Sequence, residues 1–598
     1  MRKNLLSLSI AAMIGGIGFA GVASASVLST GSTATALVTN DTGIGHILFV
    51  PYFTTQNGNV TLLNLVNTDT SNGKAVKVRF RGASNSDDIF DFQVYLSPGD
   101  VWTANVSKAA DGRSQLFTTD KTCTLPASVN APFDTTRLPA SFTAAQKANE
   151  TNEGYIEILT MADIPKALLS GQSNVGGTVS TNPLFTAIKH VSGVAPCTAG
   201  VMAALATDPK VAVAGSGVGT AATNATEAAA STMGLRNPTG GLFLNYTIVN
   251  VPTTLAFSQS ASAIAAVVAG TPGTPVAANI VFSPQTSTPI NVANTYIGVD
   301  GALAAGVTAA APTALVDDVT ADALFRSNNA FRAGITAAPV GAGIISAKYY
   351  DQPDMSTPYL STNVTVGSGT APSPSLIQAA ALTKAIAAKA VVNEYLTTTG
   401  LGAATDWTFS MPTRRYSVAM DYAWTSTTLA GSTDGRVFTD LSAAASVAAT
   451  ASGIAVANVN NFFNLSNTSV VGTQICVNAD TVNGLSSFDR EETTAAGGFV
   501  ISPGVSTQVR FCGEANVLSF NAGSATAVSV LGGLVSRQDA TLGGTEGWVR
   551  VGTAGLSNGV TTNGLPVIGA SYSKAVNSAV SAGVSGNYGL VTGHRYNR

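Results

Sequence analysis

Residues His46 to Val106 read HILFVPYFTTQNGNVTLLNLVNTDTSNGKAVKVRFRGASNSDDIFDFQVYLSPGDVWTANV and carry the clearest structural pattern in the chain. Five short runs rich in β-branched and aromatic residues are separated by Gly, Asn, Asp and Pro. β-Branched and aromatic residues favour strands, whereas Gly, Asn, Asp and Pro favour turns. The stretch therefore predicts five consecutive β-strands.

Apolar and charged residues alternate strictly in the run from 74 to 81. One face carries Val76, Val78 and Phe80, and the other carries a basic row of Lys77, Arg79 and Arg81. The next run, 89–96, has Asp91 on its polar face, and the turn between the runs predicts that the two strands pair. An apolar face opposite a polar one is typical of a β-sandwich. We interpret the basic row as facing Asp91, a neighbouring subunit or anionic lipopolysaccharide.

The whole chain predicts a mainly β fold, with β-sandwich-like domains, Ala/Gly/Thr-rich insertions and a few helices. We divide it into a signal peptide (1–25), an N-terminal β-rich domain (26–255), an Ala/Thr-rich middle region (256–374), and a helix followed by a C-terminal β-rich domain (375–598). The helix is predicted over Ser375–Leu396, where Ala and Lys dominate and apolar positions recur at helical spacing. A shorter helix is predicted over 161–170.

The N-terminus has the pattern of a secretory signal. Arg2 and Lys3 precede an apolar core from Leu5 to Gly21, and Ala23-Ser24-Ala25 is a small-residue cleavage site. The alternative interpretation is a membrane anchor, but three glycines interrupt the core, which is also short for a span. We therefore expect an exported protein.

Composition limits the possible partners. Charged residues make up 11% of the chain and hydrophobic residues 45%, and the net charge is −3. With no basic surplus, nucleic-acid binding lacks its electrostatic basis. A weakly charged surface favours association over repulsion, which suits a protein that packs beside its own copies.

Four cysteines are present, an even number that predicts two disulfides in an exported protein. Three connectivities are possible. We expect Cys123–Cys197 and Cys476–Cys512, because each of these pairs closes a loop within one half of the chain.

Two sets of charged residues are candidate sites. Asp87, Asp88 and Asp91 are candidate calcium ligands, but their spacing matches no EF-hand loop, and we favour a solvated turn followed by a cross-strand partner. Arg414 and Arg415 are candidates for holding carboxylates or lipid phosphates by bidentate hydrogen bonds. An intramolecular salt bridge is the equal alternative.

Motifs of catalysis are missing from the sequence. It has no G-x-S-x-G, no G-x-x-x-x-G-K-[ST], no H-E-x-x-H and no C-x-x-C, and its three histidines are far apart. We therefore expect no enzymatic activity, no catalytic residues, no metal site and no cofactor.

Several blocks of sequence resemble a known family. The segment VPYFTTQNGNVTLLNLVNTDTSNGKAVKVRFRGASNSDDIFDFQVYLSPGDVW, with DKTCTLP, EGYIEILTMADI and DWTFSMPTRRYSV after it, resembles the large cell-surface proteins of Comamonas-like betaproteobacteria. These include the surface-layer protein of nanopods, which are surface-layer-sheathed tubes that contain outer-membrane vesicles. The resemblance implies a self-assembling layer on the outer membrane and brings no catalytic residues.

The expected function is therefore structural. We expect a surface-layer subunit that forms a two-dimensional lattice on the outer surface of a Gram-negative bacterium, with itself and the outer membrane or lipopolysaccharide as partners. An outer-membrane β-barrel or porin is an alternative, although the chain ends without a terminal aromatic residue. A surface adhesin that binds carbohydrate is another alternative.

Overall fold

The computed structural model describes two long parts of the chain with gaps. The described residues are 33–136, 138–168, 181–207, 234–271, 273–278, 381–420, 422, 434–438, 463, 468–478, 484–489, 501–502, 509–522, 528–554, 564–577 and 586–598. We call 33–278 the N-terminal half and 381–598 the C-terminal half. The predicted signal peptide and residues 279–374 of the predicted middle region lie outside the described residues.

The N-terminal half is built from two antiparallel sheets. Its strands are β1 (Ala36–Asn40), β2 (Ile47–Thr54), β3 (Asn59–Asn67), β4 (Gly73–Gly82), β5 (Asp88–Leu96), β6 (Val101–Lys108), β7 (Ser114–Phe117), β8 (Cys123–Leu125), β9 (Glu153–Ile164), β10 (Leu242–Asn250), β11 (Leu255–Ser260) and β12 (Ser262–Val267). One sheet has the order β1-β12-β2-β9-β4-β5-β8, and the other has the order β11-β10-β3-β6-β7. The five predicted runs are therefore strands, but they are divided between both sheets.

The two sheets face each other across a single apolar core. In β3, buried residues alternate with partly exposed ones, so that one face of the strand packs inward. Phe92 of one sheet lies 5.4 Å from Trp102 of the other, measured between ring centroids. This arrangement confirms a mainly β fold in which two sheets pack as a sandwich.

The predicted hairpin of β4 and β5 is confirmed. The two strands are antiparallel, with Val78 opposite Phe92 and Arg79 opposite Asp91. Val76, Val78 and Phe80 all lie in the core between the sheets. The alternation therefore assigned the apolar face of β4 correctly.

The C-terminal half is also mainly strands. They are β13 (Ala387–Ala388), β14 (Ala390–Leu396), β15 (Ala404–Ser410), β16 (Val418–Met420), β17 (Arg436–Phe438), β18 (Thr468–Val471), β19 (Gln474–Asn478), β20 (Leu485–Phe488), β21 (Ile501–Ser502), β22 (Arg510–Cys512), β23 (Ala515–Ala522), β24 (Arg537–Leu542), β25 (Glu546–Gly552), β26 (Leu565–Pro566), β27 (Ala570–Val576), β28 (Asn587–Gly593) and β29 (Arg595–Asn597). The larger sheets have the orders β21-β24-β23-β15-β27-β28 and β20-β25-β14-β29.

The two halves share one apolar core. Val517, Leu531 and Tyr572 of the C-terminal half belong to the same buried cluster as Leu63 and Trp102 of the N-terminal sandwich. The domain boundary predicted at residue 255 needs correction, because β11 and β12 complete the two N-terminal sheets. Strand pairing and core packing, which the sequence pattern does not show, extend this half to residue 278.

Helices are short in the described residues. They are α1 (Ala144–Glu150), α2 (Pro183–Ile188), α3 (Ala199–Thr207) and a turn of helix at 381–386. The helix predicted over Ser375–Leu396 is wrong beyond 386, because β-branched and aromatic residues of β14 pair with β25 and β29 instead. The helix predicted from residue 161 is also wrong at its start, since 161–164 extend β9 alongside β4.

None of the described helices is long and apolar enough to cross a bilayer.

Candidate functional site

The charged residues that we expected at an assembly or lipid surface are inside the protein. The exposed fraction of the whole residue is at most 1% for Lys77, Arg79, Arg81, Arg414 and Arg415. In the folded chain these side chains do not reach solvent, so the expectation that they contact another subunit or an anionic surface needs correction.

The position of β4 explains this burial. Strand β4 lies between β9 and β5 in the seven-stranded sheet. One of its faces packs against the five-stranded sheet, and the C-terminal half covers the other, where Arg415 reaches Glu157 of β9. Alternation along a strand identifies two different faces, but it does not tell whether a polar face is covered by another part of the chain.

Glu157 is the centre of one buried ion-pair group. Its Oε1 accepts from Nη2 of Arg415 at 2.5 Å, and its Oε2 accepts from Nε of Arg81 at 3.4 Å. The guanidinium of Arg415 also lies 4.3 Å from the ring centroid of Tyr416. One carboxylate thus joins cations from both halves.

A second group surrounds Glu514, which immediately precedes β23. Its carboxylate accepts from Nε of Arg414 at 3.2 Å and from the hydroxyl of Tyr155 at 3.2 Å. Arg414 also donates to the carbonyl oxygen of Ser84 at 3.2 Å. Burial raises the pKa of Glu514, and the neighbouring Arg414 lowers it in part. Together the two groups form what we call the interhalf charge network.

The intramolecular alternative for Arg414 and Arg415 is therefore the one observed. Arg414 pairs with Glu514, and Arg415 pairs with Glu157. Buried ion pairs lose much of their Coulomb energy to desolvation, but removing one partner would leave a buried charge without its counterion.

The calcium candidates have other neighbours. Asp87 accepts from the hydroxyl of Tyr422 at 2.7 Å, and Asp88 lies 3.8 Å from Arg81. Asp91 contacts Lys77. Over the described ranges, no group of three or more acidic, His or Cys side chains is arranged to hold a metal ion.

Lys77 and Asp91 form a buried pair between β4 and β5. Nζ of Lys77 donates to Oδ2 of Asp91, and the two side chains are 1% and 4% exposed. Burial lowers the pKa of Lys77, and burial raises the pKa of Asp91, while the attraction between the two groups opposes both shifts. The prediction that Asp91 lies across from the basic row is confirmed.

Glu153 makes another contact between the halves. Its carboxylate accepts from the backbone amides of Leu534 and Val535 at 2.8 and 3.2 Å and from the hydroxyl of Tyr52 at 2.8 Å. Burial raises the pKa of Glu153. Since the three donors come from both halves, this carboxylate fixes the 528–536 segment against β9.

Both expected disulfides are present. Cys123 of β8 is bonded to Cys197, just before α3. Cys476 of β19 is bonded to Cys512 of β22, the residue directly opposite it in the sheet. Each cystine lies within one half, as expected.

Two of the histidines are buried and neutral. His46 accepts from the amide of Ala266 at 3.1 Å, and burial lowers its pKa to about 4. His594 lies 2.9 Å from the carbonyl oxygen of Thr408, and burial lowers its pKa to about 3. These contacts are structural.

The third histidine lies in a Ser-His-Asp grouping at a surface turn. Nδ1 of His190 is 3.5 Å from Oγ of Ser97 and 3.4 Å from Oδ2 of Asp100. Both neighbours approach the same ring nitrogen. A catalytic triad needs the acid and the nucleophile on different nitrogens, so this geometry does not provide a general base for Ser97.

Exposed apolar residues occur at several places on the described part of the chain, and two of these places lie on strands of the C-terminal half. On β28, the residues Tyr588 and Leu590 are 58% and 64% exposed. On the smaller C-terminal sheet, Trp548 is 40% exposed and stacks on Phe488 with ring centroids 4.3 Å apart.

Sequence reasoning missed both carboxylates of the interhalf charge network. Glu157 stands in the run EGYIEILTM, where an acid on a strand with apolar residues around it signals a buried partner. Glu514 follows Cys512 and Gly513 without any such pattern. Only the docking of the two halves reveals its role.

Comparison with known proteins adds no relative: no protein-family model, no curated protein and no solved structure matches this chain.

Proposed function

We propose that this chain is a structural surface-layer subunit, exported by the general secretory route, that assembles laterally into a two-dimensional lattice on the outer membrane of a Gram-negative bacterium. In this proposal it also sheathes membrane vesicles or tubes. The sequence resemblance motivates it.

The observation that carries the proposal is the burial of scarce charge inside the fold. Charged residues are only 11% of the chain, and Lys77, Arg81, Arg414 and Arg415 are all buried in ion pairs. Charge held in these buried pairs is not available at the surface to repel a neighbouring copy. Weak repulsion suits a subunit that packs closely against its copies.

The two cystines support export. Disulfides form and persist in oxidising compartments and are rare in reducing ones. Two of them, closing loops with sequence separations of 74 and 36 residues, are consistent with the predicted secretory signal.

Electron microscopy of negatively stained cell envelopes tests the proposal. We expect a regular lattice on the parent strain, loss of that lattice on deletion of the gene, and its return when the intact gene is restored. A lattice that persists unchanged in the deletion strain would contradict the proposal.

A carbohydrate-binding adhesin is the second candidate, and the Phe488–Trp548 stack favours it. An exposed aromatic ring on a sheet presents an apolar plane of the kind on which a sugar ring packs. We expect glycan-array binding by the purified monomer, lost on Trp548→Ala, if this function holds. If the purified monomer binds no glycan on the array, the adhesin function is contradicted.

A further inference from the structure

The contact between Lys77 and Asp91 joins an amine to a carboxyl group in a place that water does not reach. The two side chains are 1% and 4% exposed and bridge the adjacent strands β4 and β5. Leu159 and Gln93 lie opposite Lys77 on the two neighbouring strands, and Arg79 lies opposite Asp91.

We propose that Lys77 and Asp91 condense into an intramolecular isopeptide bond that cross-links β4 to β5. Nζ of Lys77 forms an amide bond with Cγ of Asp91, one carboxyl oxygen leaves, and it departs with two protons as water. Charge and electrons balance without an oxidant, a reductant or a cofactor.

Burial favours the reactive forms of both groups. An amine attacks only when it is neutral, and a carboxyl group loses oxygen most readily when it is protonated. Burial lowers the pKa of Lys77 and raises the pKa of Asp91, and both shifts favour transfer of the ammonium proton to the carboxylate. In a dry site this transfer removes two desolvated charges.

One neighbour supplies the remaining chemistry, because the proton moves directly from the ammonium of Lys77 to the carboxylate that it contacts. Arg79, directly opposite Asp91, stabilises the negative charge that develops on the carboxyl oxygen during attack.

The chain contains its own comparison in Lys74. Its Nζ donates to Asp163 at 2.6 Å, Asp69 at 3.1 Å and Thr239 at 3.1 Å. Two carboxylates share this one cation, and an amide bond to either of them would leave the other without its counterion. We expect Lys74 and Asp163 to remain an unlinked ion pair although both are buried.

Peptide mass mapping of the full-length secreted chain, after reduction and alkylation, tests the bond. Trypsin does not cleave after an amide-linked lysine, so we expect the peptide 75–79 joined to 82–108, lighter than their sum by one water. Free peptides 75–77 and 82–108 at full yield would overturn the proposal. A linkage that maps to Lys74 and Asp163 instead would also overturn it.

Variants separate the bond from the fold. Lys77→Arg keeps the cation but removes the nucleophile, and Lys74→Arg is the matched control, because it changes a buried cation outside the proposed bond. We expect unlinked peptides from Lys77→Arg and linked peptides from Lys74→Arg, with the folding of both verified by circular dichroism. A linked product in Lys77→Arg, or loss of the linkage in folded Lys74→Arg, would contradict the assignment of the bond to Lys77 and Asp91.

Discussion

Arg415 and Glu157 are 258 residues apart in the chain, yet Nη2 of the arginine lies 2.5 Å from Oε1 of the glutamate, and both side chains are buried. The pair joins the strand β9 of the N-terminal sandwich to the turn that follows β15. Together with the shared apolar core, it makes the two halves a single packed unit, whereas each cystine is confined to one half.

Replacing Glu157 with Gln tests this pair. The change leaves Arg81 and Arg415 buried without their carboxylate, so we expect the free energy of unfolding to fall by about 3–5 kcal/mol. The midpoint of urea unfolding at pH 7 measures it. Asp111→Asn is the matched control, because Asp111 pairs with Arg113 at the surface, with 47% of the Asp111 side chain exposed. The prediction is wrong if both variants unfold at the same urea concentration.

Acid should destabilise the protein through its buried histidines. His46 and His594 have folded-state pKa values of about 4 and about 3, below the unfolded value of 6.5. The contribution of each neutral histidine to the free energy of unfolding is fully present above pH 6.5. It is lost as the pH falls from there toward the folded-state pKa, by about 1.4 kcal/mol for each unit between the unfolded and folded pKa values.

The measurement is the melting temperature between pH 7.5 and pH 4 in the parent and in His594→Gln. We expect a shallower slope in the variant, because a glutamine side chain cannot take up a proton in the unfolded chain. An equal slope in both proteins would show that His594 is not a source of the acid sensitivity.

The two disulfides should differ in what they contribute. In the loop-entropy model each contributes about 4 kcal/mol, with more for the longer loop. We therefore expect Cys123→Ser with Cys197→Ser to lower stability somewhat more than Cys476→Ser with Cys512→Ser, since the sequence separations are 74 and 36 residues. Urea unfolding of the two double variants checks the order, and the reverse order would contradict the model here.

Gly154 should tolerate no side chain. A Cβ at this position would lie 1.8 Å from the carbonyl oxygen of Arg81 and 2.9 Å from the ring of Phe53. Gly154→Ala should therefore separate β9 from β4 and sharply reduce the yield of folded protein, measured by size-exclusion chromatography. Gly200→Ala is the control, because nothing lies within 4 Å of its Cβ position. Normal folding of Gly154→Ala would contradict the close approach of the two strands.

Lateral assembly should depend on exposed apolar residues rather than on the buried basic row. Leu590 of β28 is 64% exposed, and burying it against a neighbouring copy would contribute about 1.5–3 kcal/mol. We expect Leu590→Ser to weaken lattice formation by purified protein while leaving the melting temperature unchanged. Exposed Thr592, on the same strand and face, provides the control variant Thr592→Ala. Unchanged lattices from Leu590→Ser would place the lateral contact elsewhere.

Local pattern in the sequence is enough to predict much of the N-terminal half. Alternation in β4 and β5 predicts both strands, their pairing and the apolar face that holds Val76 and Phe92, because a period of two depends only on neighbouring residues. The cystine pairs follow from the number and placement of the cysteines. The helix predicted over Ser375–Leu396 extends too far, because the Ala-rich run ends at residue 390 and the β-branched and aromatic residues that follow favour a strand.

What covers the polar face of β4 depends on the tertiary structure alone. Lys77, Arg79 and Arg81 have the pattern of a solvated row, and that pattern is the same whether water or another part of the chain lies above it. Glu157 already lies beside Arg81 in the N-terminal sheet, whereas Arg415 and Glu514 reach this region only when the two halves dock. The physical reason is that burial of a charge depends on partners hundreds of residues away, which no local period records.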